Sequence, residues 1–161
     1  MTVYLTDFEK KVAEDYGAAV YAWAKEHHLQ DMRKDPTKTS LQLNQDSAKG
    51  EVGFCKLQNV YFNFQLNGPT QVDVRVGDKI IDIKWTDNPN YNLAVCGHIT
   101  REKAADYFVL MRGPADGVME YAGHISRDDF YDNCTTMTGH DGLPFWLLNA
   151  SRLNKGLIPN L

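Results

Sequence analysis

Val72-Asp73-Val74-Arg75-Val76-Gly77-Asp78-Lys79-Ile80-Ile81-Asp82-Ile83-Lys84-Trp85 is the stretch that decides how this chain is read. Two β-branched runs flank Gly77-Asp78, a Gly-X pair suited to a two-residue hairpin turn. With Val76 opposite Lys79, the register sets Arg75 against Ile80, Val74 against Ile81 and Asp73 against Asp82. Side chains alternate between faces, so Asp73, Arg75, Ile80, Asp82 and Lys84 share one side of the ribbon. Val72, Val74, Val76, Ile81, Ile83 and Trp85 take the other side, which reads as core. Two carboxylates then meet across the strands, with a repulsion of roughly 3 kcal/mol at ~5 Å and an effective dielectric of about 20. A hard divalent cation held by oxygen ligands is the natural compensation. Lys84 adds a positive charge just beyond the pair.

Around this stretch the composition is that of a globular domain. A chain of 161 residues, 43% hydrophobic and 24% charged, suits one compact domain with its own core. No apolar run approaches the ~20 residues that span a bilayer, and Met1 to Lys11 lacks the basic-then-apolar order of a secretory leader. Cys55, Cys96 and Cys134 are odd in number, widely spaced and without a CxxC, which points to free thiols in a reducing compartment. The net charge of −4 argues against a general nucleic-acid-binding coat but leaves room for one basic groove.

In chain order, Thr6-Asp7-Phe8-Glu9 has the form of a capping box and opens a helix running to about His28. Phe8, Val12, Tyr16, Ala19, Val20, Trp23 and His27 recur at helical spacing and read as its core face. After a polar loop, a second helix is expected over Leu41 to Gln58, with Ala48, Val52, Cys55 and Gln58 as its stripe. Glu51 falls beside that stripe, and a carboxylate near a buried face needs a partner. Tyr61 to Leu66 alternates and reads as a strand. Leu93 to Cys96, Asp106 to Gly113 and Val118 to Ile125 follow as strands, the last two antiparallel neighbours. The continuous apolar run after Asp106 predicts burial on both faces. Ser126 caps a short helix. A zinc site from Cys96, His98, Cys134 and His140 fails on ligand spacing, and Gly139 to Gly142 lacks the lysine of a phosphate loop; Tyr61, Phe62 and Trp146 could stack on bases if exposed, but are read as core.

Asp73 followed by Asp82-Ile83-Lys84, a D-x8-D-x-K pattern, resembles the catalytic core of the PD-(D/E)xK nuclease superfamily, although Val72 stands where a proline is often found. Gly50-Glu51-Val52-Gly53-Phe54 resembles the acidic helix that precedes the sheet in many members. Ala105 to Leu110 and Ala122 to Phe130 resemble the second half of small phage and bacterial nucleases, and Trp146 to Leu153 their terminal segment. The likeness covers about Lys49 to Leu153. It implies an α/β fold with a restriction-endonuclease-like core, a mixed, mostly antiparallel central sheet flanked by helices. One nuclease domain would span residues 1–161, with an N-terminal helix and loop over 1–40 and the core over 41–161. The implied activity is Mg²⁺-dependent hydrolysis of phosphodiesters in DNA, with Mn²⁺ as a substitute and RNA left open. Asp73, Asp82, the Ile83 carbonyl and Glu51 would hold the metal. Lys84 would orient or deprotonate the attacking water or hold the phosphate. Arg75, Lys49 and Lys56 would meet the nucleic acid, or Arg75 would pair with the aspartates. The resemblance further implies a bacterial or phage-encoded protein of the host cytoplasm, a homodimer as in many members, and no membrane partner. The other reading is a nucleic-acid-binding or structural domain that keeps the fold without cutting.

Overall fold

The computed structural model describes residues 1–28, 37–62, 64, 73–114, 116–139, 142–159 and 161. Its helices are α1 (Asp7–Glu26), α2 (Ser40–Gln58) and α3 (Arg127–Asn133). The strands are β1 (Thr2–Tyr4), β2 (Val74–Val76), β3 (Lys79–Thr86), β4 (Leu93–Cys96), β5 (Tyr107–Arg112), β6 (Val118–Ser126), β7 (Thr135–Thr138) and β8 (Pro144–Leu148). Five of them form a mixed sheet in the order β1-β6-β5-β3-β2, and β4-β8-β7 form a second, antiparallel sheet. In the larger sheet only β3 and β5 run parallel; the other neighbours are antiparallel.

The helix starts follow from local chemistry. Thr6 caps α1 through Glu9 N–H while the Glu9 side chain returns to the Thr6 N–H, and Thr39 does the same for α2 with Gln42. Ser126 caps α3 through Asp129 N–H. The packing face of α1, however, is not the expected stripe. Phe8 is 78% exposed, and the buried positions are Ala13 and Gly17. A Cβ at Gly17 would lie 2.5 Å from Gln45 Cα, so α1 and α2 approach more closely there than any larger residue permits.

Helix α2 is covered both by α1 and by the sheet, so burial is not confined to one stripe: Asn44, Asp46, Lys49 and Phe54 are buried along with Ala48, Val52 and Cys55. Its buried charges alternate in sign. Lys49 Nζ lies 2.8 Å from Glu14 of α1 and 3.8 Å from Asp46; Asp46 in turn meets Lys38 at 3.0 Å. Lys38 also pairs with Asp87 at 2.7 Å and lies over the Trp85 ring. Lys49, expected to face nucleic acid, is 7% exposed and joins two helices instead. Lys56 is likewise committed, donating to Tyr4 O and to Glu9 at 2.8 Å each.

Strand β5 shows why its sequence is apolar throughout. Phe108 and Leu110 point into one hydrophobic cluster, with Leu93, Val95, Phe130 and Leu148. Val109 and Met111 point into the other, with Val52, Phe54, Val74, Ile81 and Ile83. The sheet is thus covered on both faces. Tyr61, Phe62 and Phe64 are not in a strand, and the rest of the strand expected there lies outside the described residues. No described helix is long and apolar enough to cross a membrane.

Candidate active site

The hairpin pairs in the expected register: Val74 with Ile81, Arg75 with Ile80, Val76 with Lys79. Gly77 has φ +59° while Asp78 does not have positive φ, the pattern of a II′ rather than a I′ turn. Val74, Ile81 and Ile83 are buried against α2, at 0, 0 and 2% exposure. Alternation therefore turns Asp82 and Lys84 to the opposite face, beside Phe108 and Leu110 of β5. Val72 lies outside the described residues.

Asp73 does not extend the ladder as a strand residue. It sits just before β2, and its Oδ2 accepts the Ile83 N–H at 2.6 Å. That donor offsets part of the repulsion that a bare cross-strand pair of aspartates would carry. In an extended strand the N–H and C=O of one residue leave on the same edge, so the Ile83 carbonyl projects toward Asp73 as well.

Asp82 is 1% exposed. Its Oδ1 lies 2.6 Å from Lys84 Nζ, while its Oδ2 is buried without a hydrogen-bond partner among the described residues. An unpartnered buried carboxylate oxygen costs on the order of 1–3 kcal/mol or more. Burial, and next the Asp82 charge, push the Asp73 carboxyl up to about 7, with Lys84 and the Ile83 N–H pulling the other way. Burial alone would lower the Lys84 amine, but the Asp82 and Asp73 carboxylates override it and hold the ammonium above its ordinary range.

Glu51 is half-buried on α2 and shares surroundings with Asp73. Burial and then the charges of Glu51 and Asp73 together raise the Tyr16 hydroxyl, and they push the Cys55 thiol up to about 12. Yet no three described His, Cys, Asp or Glu residues are grouped closely enough to hold a metal ion. Among the described residues Asp73 and Asp82 are the acids brought together, and Glu51 does not complete a group of three with them.

Those two fit a hard cation. They offer oxygen donors of the preferred kind, one buried oxygen that no donor satisfies, and a backbone carbonyl on the adjoining edge. Arg75 is exposed and forms no ion pair among the described residues. A separate cavity of about 570 Å³, lined by Tyr107, His124, Asp129 and Arg152 among others, includes none of these residues. Three further neighbours were not anticipated. Cys96 of β4 lies near Lys84, Asp82 acts on the Tyr131 hydroxyl of α3, and Tyr16 stands near Asp73 and Glu51 on the other layer. Each comes from a segment remote from the hairpin, so no local pattern marks it.

No protein-family model, curated protein or solved structure matches the chain.

Proposed function

We propose that the chain is a divalent-metal-dependent nuclease with a restriction-endonuclease-like core, cutting phosphodiester bonds of DNA at the Asp73–Asp82–Lys84 site. The observation that carries this reading is Asp82 Oδ2, buried and without a donor beside a second carboxylate. Such an arrangement is stable when a proton or a cation lies between the two acids. Asp73, Asp82 and the Ile83 carbonyl would hold Mg²⁺, with Mn²⁺ as a substitute, and Glu51 would act from further out. When bound, the ion supplies charge neutralisation at the phosphate and a water of lowered pKa.

The chain's own groups divide the remaining work. Asp73 exchanges its proton for the cation, so metal affinity should rise with pH through about 7. Lys84 is held charged by its carboxylate neighbours and is partly open to solvent, at 36% side-chain exposure. It therefore serves as a fixed positive charge and hydrogen-bond donor to the reacting phosphate, and not as the base that deprotonates water. Arg75, exposed on the outer strand and without an ion pair among the described residues, contacts a neighbouring phosphate. Arg75→Ala should lower the slope of log affinity against log salt by roughly one unit, measured with Ca²⁺ in place of Mg²⁺. An unchanged slope would assign Arg75 to the protein itself.

A second reading has one observation in its favour. Because no third acidic side chain among the described residues completes a metal-holding group with the pair, the domain would bind nucleic acid without cutting it. Incubating the purified protein with Mg²⁺ or Mn²⁺ and duplex, branched and single-stranded substrates separates the two. Cleavage that EDTA stops supports the nuclease; binding without cleavage under all these conditions supports the second reading.

A further inference from the structure

Beyond the reach of β1, the outer edge of β6 is met by the chain's C-terminal tail. Strand β1 pairs with Val118, Met119 and Glu120, whereas Asn154 of the tail bridges His124 through both backbone groups, at 2.8 and 3.0 Å. Between this tail, α3 and the ends of β5 and β6 lies the cavity of about 570 Å³, a volume ordinary for a small-molecule site. In its wall the Tyr107 ring of β5 and the His124 ring of β6 stand edge to face, 5.9 Å apart between centroids. Asp129 and Asn133 reach it from α3, and Arg152 from the turn Ala150–Arg152.

His124 is 4% exposed, and its network fixes which ring nitrogen carries hydrogen. The Tyr121 hydroxyl donates its one hydrogen to the Gly156 carbonyl at 3.1 Å, and its oxygen lies 2.6 Å from His124 Nδ1. Nδ1–H is therefore the donor of that contact, and Nε2 keeps a lone pair. Nε2 has no partner among the described residues and is not sealed in the core; it opens on the cavity that the ring lines. Burial holds the imidazole below its ordinary range, against a smaller opposite pull from the Gly156 carbonyl, so the ring is neutral near pH 7. A buried acceptor of this kind calls for a donor that the protein itself does not supply. Two charged groups complete the lining. Asp129 Oδ2 accepts the Ser126 hydroxyl at 2.6 Å, and Oδ1 has no partner among the described residues. Arg152 donates to the Asn133 side-chain oxygen and forms no ion pair among the described residues.

We propose that this cavity is a binding site for a nucleoside monophosphate, whose base lies against Tyr107 and donates an N–H to His124 Nε2, while its sugar hydroxyls meet Asp129 and its phosphate meets Arg152. The lining demands a ligand with donors in one part and an anion in another. Inorganic phosphate or a simple carboxylate would leave Nε2 unpaired and face Asp129 as a like charge. An uncharged base or nucleoside would leave the Arg152 guanidinium, a good phosphate partner, without an anion. A flat base with N–H groups, two hydroxyls and one phosphate satisfies all three. The cavity shares no residue with the Asp73–Asp82–Lys84 site, so this inference does not depend on the nuclease reading.

The test is calorimetric titration of the whole chain, in EDTA near pH 7, with adenosine monophosphate, adenosine and ribose 5-phosphate. Adenosine monophosphate should bind with a Kd below about 1 mM, at least about tenfold more tightly than either fragment. Arg152→Gln, a change at an exposed side chain, should weaken it about tenfold or more and leave adenosine unaffected. Nitrogen NMR of the wild type gives a second readout that needs no variant. His124 Nε2 should resonate as an unprotonated ring nitrogen and should shift as adenosine monophosphate is added. Absence of binding up to about 1 mM overturns the inference. So does ribose 5-phosphate binding as tightly as the nucleotide, an affinity that Arg152→Gln leaves unchanged, or a His124 Nε2 resonance that does not move.

Discussion

Asp73→Asn should abolish metal-dependent cleavage and, in EDTA at pH 8, make the folded protein more stable by about 1–3 kcal/mol. The two effects have one cause. The asparagine carbonyl still accepts the Ile83 N–H, while its amide replaces a carboxylate oxygen with a donor in reach of the acid pair. The substitution also removes the charge whose burial and whose neighbour Asp82 raise its pKa to about 7. The sign of the pH dependence follows. A folded pKa above the unfolded value of about 3.9 means that the folded state binds this proton more tightly. The metal-free wild type should therefore lose stability as pH rises from about 4 to about 7, and Asp73→Asn should remove that fall. Urea midpoints of both proteins across this window, in EDTA, give the comparison. A variant markedly less stable than wild type at pH 8 would make Asp73 a structural residue. Asp82→Asn is a poorer probe, because it also breaks the 2.6 Å pair with Lys84.

Lys84→Ala should lower turnover by about 10²- to 10⁴-fold and change affinity for uncleaved nucleic acid by only a few-fold. In the proposed reaction the charge would act on a phosphate that becomes more negative as bonds break, so its contribution would grow in the transition state. The same substitution leaves Asp82 charged, 1% exposed and without its cation, and stability in EDTA should fall by about 1–3 kcal/mol. Mg²⁺ should recover part of that loss, since a cation at the carboxylates replaces the missing ammonium. Lys84→Arg keeps the charge and should keep the fold. Single-turnover rates together with Kd values in Ca²⁺ separate the two roles. A loss of binding as large as the loss of rate would make Lys84 a phosphate anchor and not a transition-state group.

The register of the hairpin, the caps of α1 and α3, and the double burial of β5 are all legible in the amino acids. Each depends on neighbours within a few residues: a Gly-X turn between β-branched runs, a threonine three residues before a glutamate, an uninterrupted apolar run. The nearness of Asp73, Asp82 and Lys84 is legible for the same reason, because the turn sets the two strands side by side.

What tertiary structure decided is everything carried by contacts between distant segments. Residues Thr2–Tyr4 and Thr135–Thr138 are short, largely exposed edge strands that gain their conformation only from β6 and β8. The parallel contact of β3 with β5 has no local signal, since a crossover can place either strand beside several others. Lys49 is a nucleic-acid contact in the sequence reading; the packing of α2 leaves it 7% exposed, and Glu14 of α1 neutralises it. Glu51 looks like a third ligand, yet the packing of α2 leaves it outside the carboxylate pair. The Asp73 carboxylate was free to face Asp82 or the backbone, and only the folded edge of β3 supplies the Ile83 N–H that it accepts. Alternation and turn chemistry act over a few residues, whereas burial and charge partners are set by whichever segment arrives from elsewhere in the chain.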